Sequence, residues 1–322
     1  MASIRFASII VTYRCNYRCQ MCYNWKFPSD PYKEIGIEVY EKLPFMQVVN
    51  VTGGEPFIRE DLDEIVTVLR KKTKRLVISS NGFFTKKIVD LFRKHKDIGI
   101  RVSLEGLQKT NDELRGIAGG FNHGIKTLTE LQKIGIRDIG FGVTLCDRNA
   151  GDLLELYKLA REMKVEFASA AIHNSFYFHK FDNKFTRQGE VIKELSKLVN
   201  ELLKSRKVKD WFRAYFNYGL INYIKGNPRL LPCQMGENSF FLDPYGQIFP
   251  CNVMEESMGN LKEDSFDRIW RSGRAKEIRA LVKNCRKNCW MVGSVSQQMK
   301  KYFWDPLFWV FSYKFLKRRV KI

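Results

Sequence analysis

The sequence predicts an α/β fold: an open, partial (β/α)6 barrel followed by a small α+β domain rich in cysteine. Three observations carry this expectation. Strand-like and helix-like segments alternate six times before about residue 170, which calls for a parallel sheet with right-handed crossovers. The alternation then gives way to amphipathic helices and one hairpin pattern. Seven of the eight cysteines fall into two groups, one early and one late in the chain.

The strands are read from Val-, Ile- and Phe-rich runs over Phe6–Val11, Gln47–Val51, Arg75–Ser79, Ile98–Leu104, Ile139–Leu145 and Val165–Ile172. Their nearly continuous apolar character fits strands covered on both faces. Helices are expected between them over Glu38–Leu43, Glu60–Lys71, Lys86–Lys94, Gly124–Ile134 and Leu153–Met163. In the last of these, Leu153, Leu154, Leu156, Leu159 and Ala160 recur at helical spacing. Six units fall short of a closed eight-fold ring, so the barrel stays open, with its working face at the C-terminal strand ends. Beyond it, Glu190–Lys204, Lys209–Lys225 and Ser265–Lys283 read as helices. Ser239–Cys251 reads as a hairpin turning at Asp243-Pro244-Tyr245-Gly246, with Pro and Gly where a type I turn takes them. The expected domains are residues 1–205 for the barrel, 206–296 for the cysteine-rich domain and 297–322 for a basic, aromatic tail.

Composition narrows the function classes. The 322 residues are 44% hydrophobic and 28% charged, which excludes a disordered chain. A chain this long can bury about 75% of its unfolded surface without disulfides. No apolar run approaches the roughly 20 residues of a bilayer-crossing helix, and the start lacks a secretory pattern. A cytoplasmic, reducing setting follows, in which clustered cysteines read as metal ligands. The net charge of +20 points to an anionic partner.

Cys15, Cys19 and Cys22 form C-x3-C-x2-C directly after the first strand. Three thiolates on one loop leave one iron of a four-iron cluster open to an exogenous ligand; a zinc ion with a distant fourth ligand is the alternative. Polar groups then gather at successive strand ends: Thr52-Gly53-Gly54-Glu55-Pro56, Ser79-Ser80-Asn81-Gly82, Val102-Ser103-Leu104-Glu105-Gly106, and Arg115-Gly116.

Taken together and in order, these segments resemble the radical S-adenosylmethionine (SAM) superfamily over roughly the first 200 residues. The resemblance implies that Cys15, Cys19 and Cys22 ligate a catalytic 4Fe–4S cluster whose open iron is chelated by SAM. It assigns Gly53, Gly54 and Glu55 to the methionine ammonium. Ser79, Asn81, Ser103, Glu105 and Arg115 are assigned to the ribose and carboxylate, and the backbone of Tyr23 to the adenine. The implied chemistry is reductive cleavage of SAM to a 5′-deoxyadenosyl radical that abstracts hydrogen from a substrate. An external electron donor such as flavodoxin or ferredoxin is implied with it.

The late group consists of Cys233, Cys251, Cys285 and Cys289. With Gly246-x4-Cys251, Gly259-Asn260-Leu261 and Cys285-x3-Cys289, it resembles the SPASM/twitch extensions of radical SAM enzymes. Four cysteines rather than seven imply one auxiliary 4Fe–4S cluster, as in the shorter twitch form, with zinc as the alternative. A cluster with all four corners on thiolate suits electron transfer.

Cys146, past the fifth strand, and His173, ending the sixth, are catalytic candidates by their strand-end placement; packing roles are the competing reading. The tail Lys300–Ile322 carries seven Lys/Arg, and eight of the fourteen residues Tyr302–Phe315 are aromatic. It can lie on an anionic membrane surface or pack on the protein. The substrate class stays open among a lipid, a lipid-linked sugar and a peptide. Because no peptide-recognition module is read before Cys15, a dedicated leader-peptide substrate is disfavoured. Nucleic acid is also disfavoured, since no RNA-binding module is readable. The competing function is a non-catalytic, metal- or cluster-stabilised protein that binds RNA or another partner.

Overall fold

The structure, a computed structural model, describes residues 4–314 and 316. Six strands run parallel in the expected places: β1 Ile4–Ile10, β2 Met46–Thr52, β3 Thr73–Ser80, β4 Gly99–Ser103, β5 Ile139–Leu145 and β6 Glu166–Ala171. Their spatial order follows the chain from β1 to β6, so each βα unit adds one strand to the same edge. Helices α1 Ile37–Tyr40, α2 Leu62–Lys71, α3 Thr85–Lys94, α4 Gln108–Arg115, α5 Gly120–Lys133 and α6 Leu153–Glu162 make the crossovers. The partial barrel is therefore as expected, with α4 the one crossover helix the pattern did not reveal.

Alternation along the strands sorts two faces. Val49, Val51, Ile78, Ile100, Val102, Phe141 and Val143 are buried in the main core that includes the crossover helices. Ser8, Asn50, Ser79, Ser103, Ala168 and Ala170 line the opposite, inner face. These inner side chains are short, so the barrel encloses a cavity rather than the layered packing of a filled barrel.

After β6 come α7 Gln188–Lys204 and α8 Val208–Ile224, packed on each other across the residue-205 boundary. The hairpin of β7 Ser239–Leu242 and β8 Gln247–Phe249 closes through a Gly246 N–H donated to the Asp243 carbonyl, while the Asp243 carboxylate accepts from Tyr245 and Gln247 N–H. β7 pairs parallel with β1, and β9 Gly259–Asn260 ends a nine-stranded sheet. The cysteine-bearing hairpin thus continues the barrel sheet.

The helix expected over Ser265–Lys283 is two, α9 Phe266–Arg271 and α10 Gly273–Lys283. Ser272 interrupts them in an extended conformation, and its hydroxyl accepts from Ala275 N–H to cap α10. α11 Val292–Lys301 and α12 Trp304–Lys314 complete the described chain. α12 packs on α8, with Trp309 against Tyr215 and Tyr218, so the described part of the tail lies on the protein. Residues 315 and 317–322 of that tail fall outside the described residues. Among the described residues, no helix is long and apolar enough to cross a membrane.

The N-terminal end of the barrel is pinned by Asp138, whose carboxylate accepts from Arg75 Nε (2.9 Å) and Arg101 Nη2 (2.6 Å). Burial alone would raise its pKa, but Arg101 and Arg75 outweigh burial and hold it below the usual carboxylate range. Its contribution to stability is therefore present above the unfolded-state pKa, near 3.9, and is lost as pH falls through the lower folded value. Asp138→Asn should cost about 1 kcal/mol in urea denaturation at pH 7, and the gap to wild type should close at pH 2–3.

Candidate active site

The loop carrying Cys15, Cys19 and Cys22 leaves β1 and is held from three sides by main-chain bonds. Gly54 N–H donates to the Thr12 carbonyl and Glu55 N–H to the Arg14 carbonyl, both at 2.8 Å. Arg18 and Gln20 N–H donate to the carbonyls of Arg115 and Leu114, at the end of α4. Tyr23 N–H donates to Phe178 O (2.8 Å), and the Asn183 amide reaches Met21 O (3.1 Å) from the segment after β6. The loop also buries Tyr13 and Tyr17, so its own packing and the main-chain bonds of its neighbours hold its shape together.

The two glycines of Gly53-Gly54-Glu55 have a definite reason. A Cβ on Gly53 would lie 2.4 Å from the Thr12 carbonyl oxygen, and one on Gly54 would lie 2.2 Å from that of Arg14. The close approach is that of the cysteine loop's own backbone. Glu55 is fully buried, and its carboxylate accepts from Ser80 Oγ (2.9 Å), Asn81 N–H (2.7 Å) and Phe57 N–H (3.2 Å). Burial pushes it up to about 7 against those three donors. It ties the end of β2 to the end of β3.

On the next two strand ends, Glu105 accepts from Arg115 Nη1 (3.1 Å) and from Thr144 N–H (2.5 Å), and the Arg115 guanidinium stands over the Tyr17 ring. Arg115 Nε is buried without a partner. Asn111 and Asn149, both fully buried, hold the Glu105 backbone from either side. Neither stood out in the sequence, since an isolated Asn, in a helix such as α4 or in a loop, carries no spacing signal of its own.

One cavity of about 1180 Å³ collects most of the expected site. It is lined by Cys15, Cys19 and Cys22, by Gly53 and Gly54, and by Ser79, Asn81, Ser103, Glu105 and Arg115. Cys233, Cys251, Cys285 and Cys289 border the same space, so the two cysteine groups face one cavity. Glu55 stands behind the wall, as do Tyr23 and Cys146, which are not among the lining residues. The Tyr23 ring lies against the ammonium groups of Lys26 and Lys180, each 4.1 Å from its centroid. Cys146 N–H is bound by Asn149, and burial raises its thiol.

His173 does line the cavity. Burial lowers it to about 4, so it is neutral at pH 7, with Nδ1 3.3 Å from Ala171 O and Nε2 3.3 Å from the Asn252 amide. Asn24 was not foreseen. It is 1% exposed, it lines the cavity beside Cys22, and neither of its amide atoms has a partner. An orphaned buried amide reveals itself only once the chain is folded.

The residues suit an iron–sulfur group. Burial pushes Cys15 and Cys22 up to about 12 and raises Cys19, so these thiols stay protonated until a metal takes the proton's place. The Arg115 guanidinium beside them opposes that rise and suits an anionic thiolate group. Among the described residues, no three His, Cys, Asp or Glu side chains close round one point as ligands of a single ion do.

Comparison with known proteins agrees. The model of the radical SAM superfamily matches residues 9–160, and that of the SPASM iron–sulfur cluster-binding domain matches residues 233–290. The chain belongs to the radical SAM superfamily. Its radical SAM domain is followed by a SPASM-type extension, and its cofactors are SAM, a catalytic 4Fe–4S cluster and an auxiliary one; the chain spans 40% and 59% of the lengths of the two curated relatives described next.

It is 32% identical over 164 residues to the Fe-coproporphyrin III synthase of Methanosarcina barkeri, a match covering 48% of this chain and 40% of that protein. It is 26% identical over 280 residues to the antilisterial bacteriocin subtilosin biosynthesis protein AlbA of Bacillus subtilis, covering 83% and 59%. Streptococcus suis SuiB bound to SAM superposes with a TM-score of 0.67 at 17% identity, over 89% of this chain and 73% of that one. At these identities the structural likeness concerns the fold.

Proposed function

We propose that this radical SAM enzyme cleaves SAM reductively and abstracts hydrogen from a peptide that reaches into the barrel. The observation that carries the reading is the single cavity shared by both cysteine groups and the strand-end polar residues. When bound, the catalytic cluster and SAM supply one-electron cleavage of a sulfonium C–S bond, leaving methionine and a 5′-deoxyadenosyl radical. In this reading Cys15, Cys19 and Cys22 hold the catalytic cluster, and Cys233, Cys251, Cys285 and Cys289 the auxiliary one.

The chain's own residues divide the remaining work. Arg115, fixed by Glu105, offers its unpartnered Nε–H to an anionic group. Ser79, Asn81 and Ser103 present short polar side chains to a sugar, and Gly53 and Gly54 keep the cysteine loop seated on β2. Met21, Ile172 and Phe178 give the cavity an apolar wall that limits the access of water and of stray hydrogen donors to the reacting carbon.

A peptide is favoured over a small molecule by the named relatives rather than by the size of the cavity, since the same 1180 Å³ also has to hold SAM and both clusters. Relatives named for bacteriocin biosynthesis and for maturation of a sporulation killing factor support it. So do fold neighbours solved with peptides, among them SuiB with the precursor peptide SuiA. The test is anaerobic reconstitution with dithionite and SAM, which should yield 5′-deoxyadenosine. Deuterium should pass into that product from a uniformly deuterated peptide fraction of cell extract, and protease treatment of the fraction should abolish the transfer. Transfer that survives the protease would replace the peptide with a small molecule.

A further inference from the structure

A second concave surface opens on the outer side of the auxiliary cysteines. It is lined by Cys233, Cys285 and Cys289 together with Arg229, Arg279, Lys283, Arg286, Lys287 and Lys301. Glu237 is its one carboxylate. Among the described residues none of those six cations forms an ion pair, although 25 ion pairs are found elsewhere among them. Arg279 spends its guanidinium on the carbonyls of Gly236 and Trp270, and Arg229 on those of Leu231 and Cys289, with Arg229 Nη2 left buried and unpartnered. Lys283, Arg286, Lys287 and Lys301 are exposed, and so is Cys285.

Six like charges gathered round a single carboxylate repel one another, and such a basin attracts an anionic partner. Cys15, Cys19 and Cys22 line only the inner cavity, whereas Cys285 is exposed and lines both the cavity and the basin. The electron needed for each turnover has to come from outside the protein.

We propose that this basin docks an acidic one-electron carrier protein and that the auxiliary cluster is the port through which its electron enters. This rests on the assignment of Cys233, Cys251, Cys285 and Cys289 to that cluster. One electron leaves the carrier, which is oxidised, and the auxiliary cluster is reduced; no bond forms and no proton moves. The complex is small and transient, as electron-transfer encounters are, and its rate of formation is set by charge.

The test uses the reconstituted full chain and the hydroquinone of an acidic flavodoxin in stopped flow. Its oxidation by the wild-type protein should slow steeply as salt rises from 0.05 to 0.5 M, since the attraction is screened. The triple variant Lys283→Glu, Lys287→Glu and Lys301→Glu, with iron content equal to wild type, should react at least tenfold more slowly at low salt and lose most of the salt dependence. Reduced methyl viologen, a small cation that needs no docking surface, should reduce the variant no more slowly than wild type. Equal flavodoxin rates for variant and wild type would overturn the docking site. So would a variant slowed equally with both reductants, which would place the defect in the cluster. Should the triple variant lose iron, the single variant Lys301→Glu, remote in sequence from the cysteines, is read in its place and should slow flavodoxin about threefold. An unchanged iron count in Cys285→Ala would instead remove the cluster assignment beneath the proposal.

Discussion

Replacing Cys19 with alanine should lower bound iron from about eight to about four per chain and bring 5′-deoxyadenosine formation below detection. The bonds that shape the cysteine loop run through the main chain of Arg18, Gln20, Gly54 and Glu55, and none of them uses the Cys19 thiol. The Trp25 indole N–H also bonds the Cys19 carbonyl, which alanine keeps. The variant therefore folds, and on the proposed assignment what it loses is one of the three thiolates that hold the catalytic cluster. Cys285→Ala gives the contrast. Iron should again fall by about four, but SAM cleavage with dithionite should continue while substrate turnover fails. If Cys19→Ala keeps full iron, the ligands lie elsewhere; if it loses iron and still makes 5′-deoxyadenosine, the catalytic cluster is not the one on this loop.

The strands were legible because Val, Ile and Phe cluster in them, and the two cysteine groups because their spacing is short and local. What each strand does with its second face was not. Ser79 and Ser103 stood out only through the strand-end motifs, whereas Ser8 and Asn50, short polar residues inside apolar runs, look like noise in a buried strand. In the fold they line the cavity. Helix α4 was missed for a related reason. Gln108–Arg115 has Leu114 as its one large apolar residue, so it shows no stripe. It is held instead by polar bonds: Asn111 to Glu105 N–H, and Asp112 to Gly119 and Phe121 N–H.

That both cysteine groups face one cavity depends on β7 pairing with β1, a contact between Phe6 and Ser239 that no local pattern encodes. The basic basin is likewise assembled from residues between 229 and 301, and composition registers it only as part of the net charge. Glu55, which the resemblance assigns to a ligand ammonium, also has a structural role that the motif does not display. Its carboxylate already accepts three bonds from Phe57, Ser80 and Asn81, so its structural work is to align two strand ends.

Gly54→Ala should have nearly as large an effect as loss of a ligand, without touching one. The new methyl carbon would stand 2.2 Å from the Arg14 carbonyl oxygen and 2.5 Å from that of Tyr13. Both obstacles are main chain, so no rotamer change relieves them. The loop from Thr12 to Cys15 must retreat, and the bonds from Gly54 N–H and Glu55 N–H to it lengthen together. Overpacking and two weakened buried bonds come to about 2–4 kcal/mol. Thermal unfolding should shift down, and reconstituted iron should fall towards four per chain because Cys15 is no longer held in register with Cys19 and Cys22. Gly189→Ala is the control: a Cβ there meets nothing within 4 Å, and stability and iron should be unchanged. The outcome separates two reasons for a glycine pair at this strand end. Were Gly54→Ala to keep its stability and all its iron and lose affinity for SAM alone, the glycines would serve the approach of the ligand. Loss of iron with the thiols intact would mean that they serve the approach of the protein's own chain, and that the cysteine loop is a structure imposed by β2.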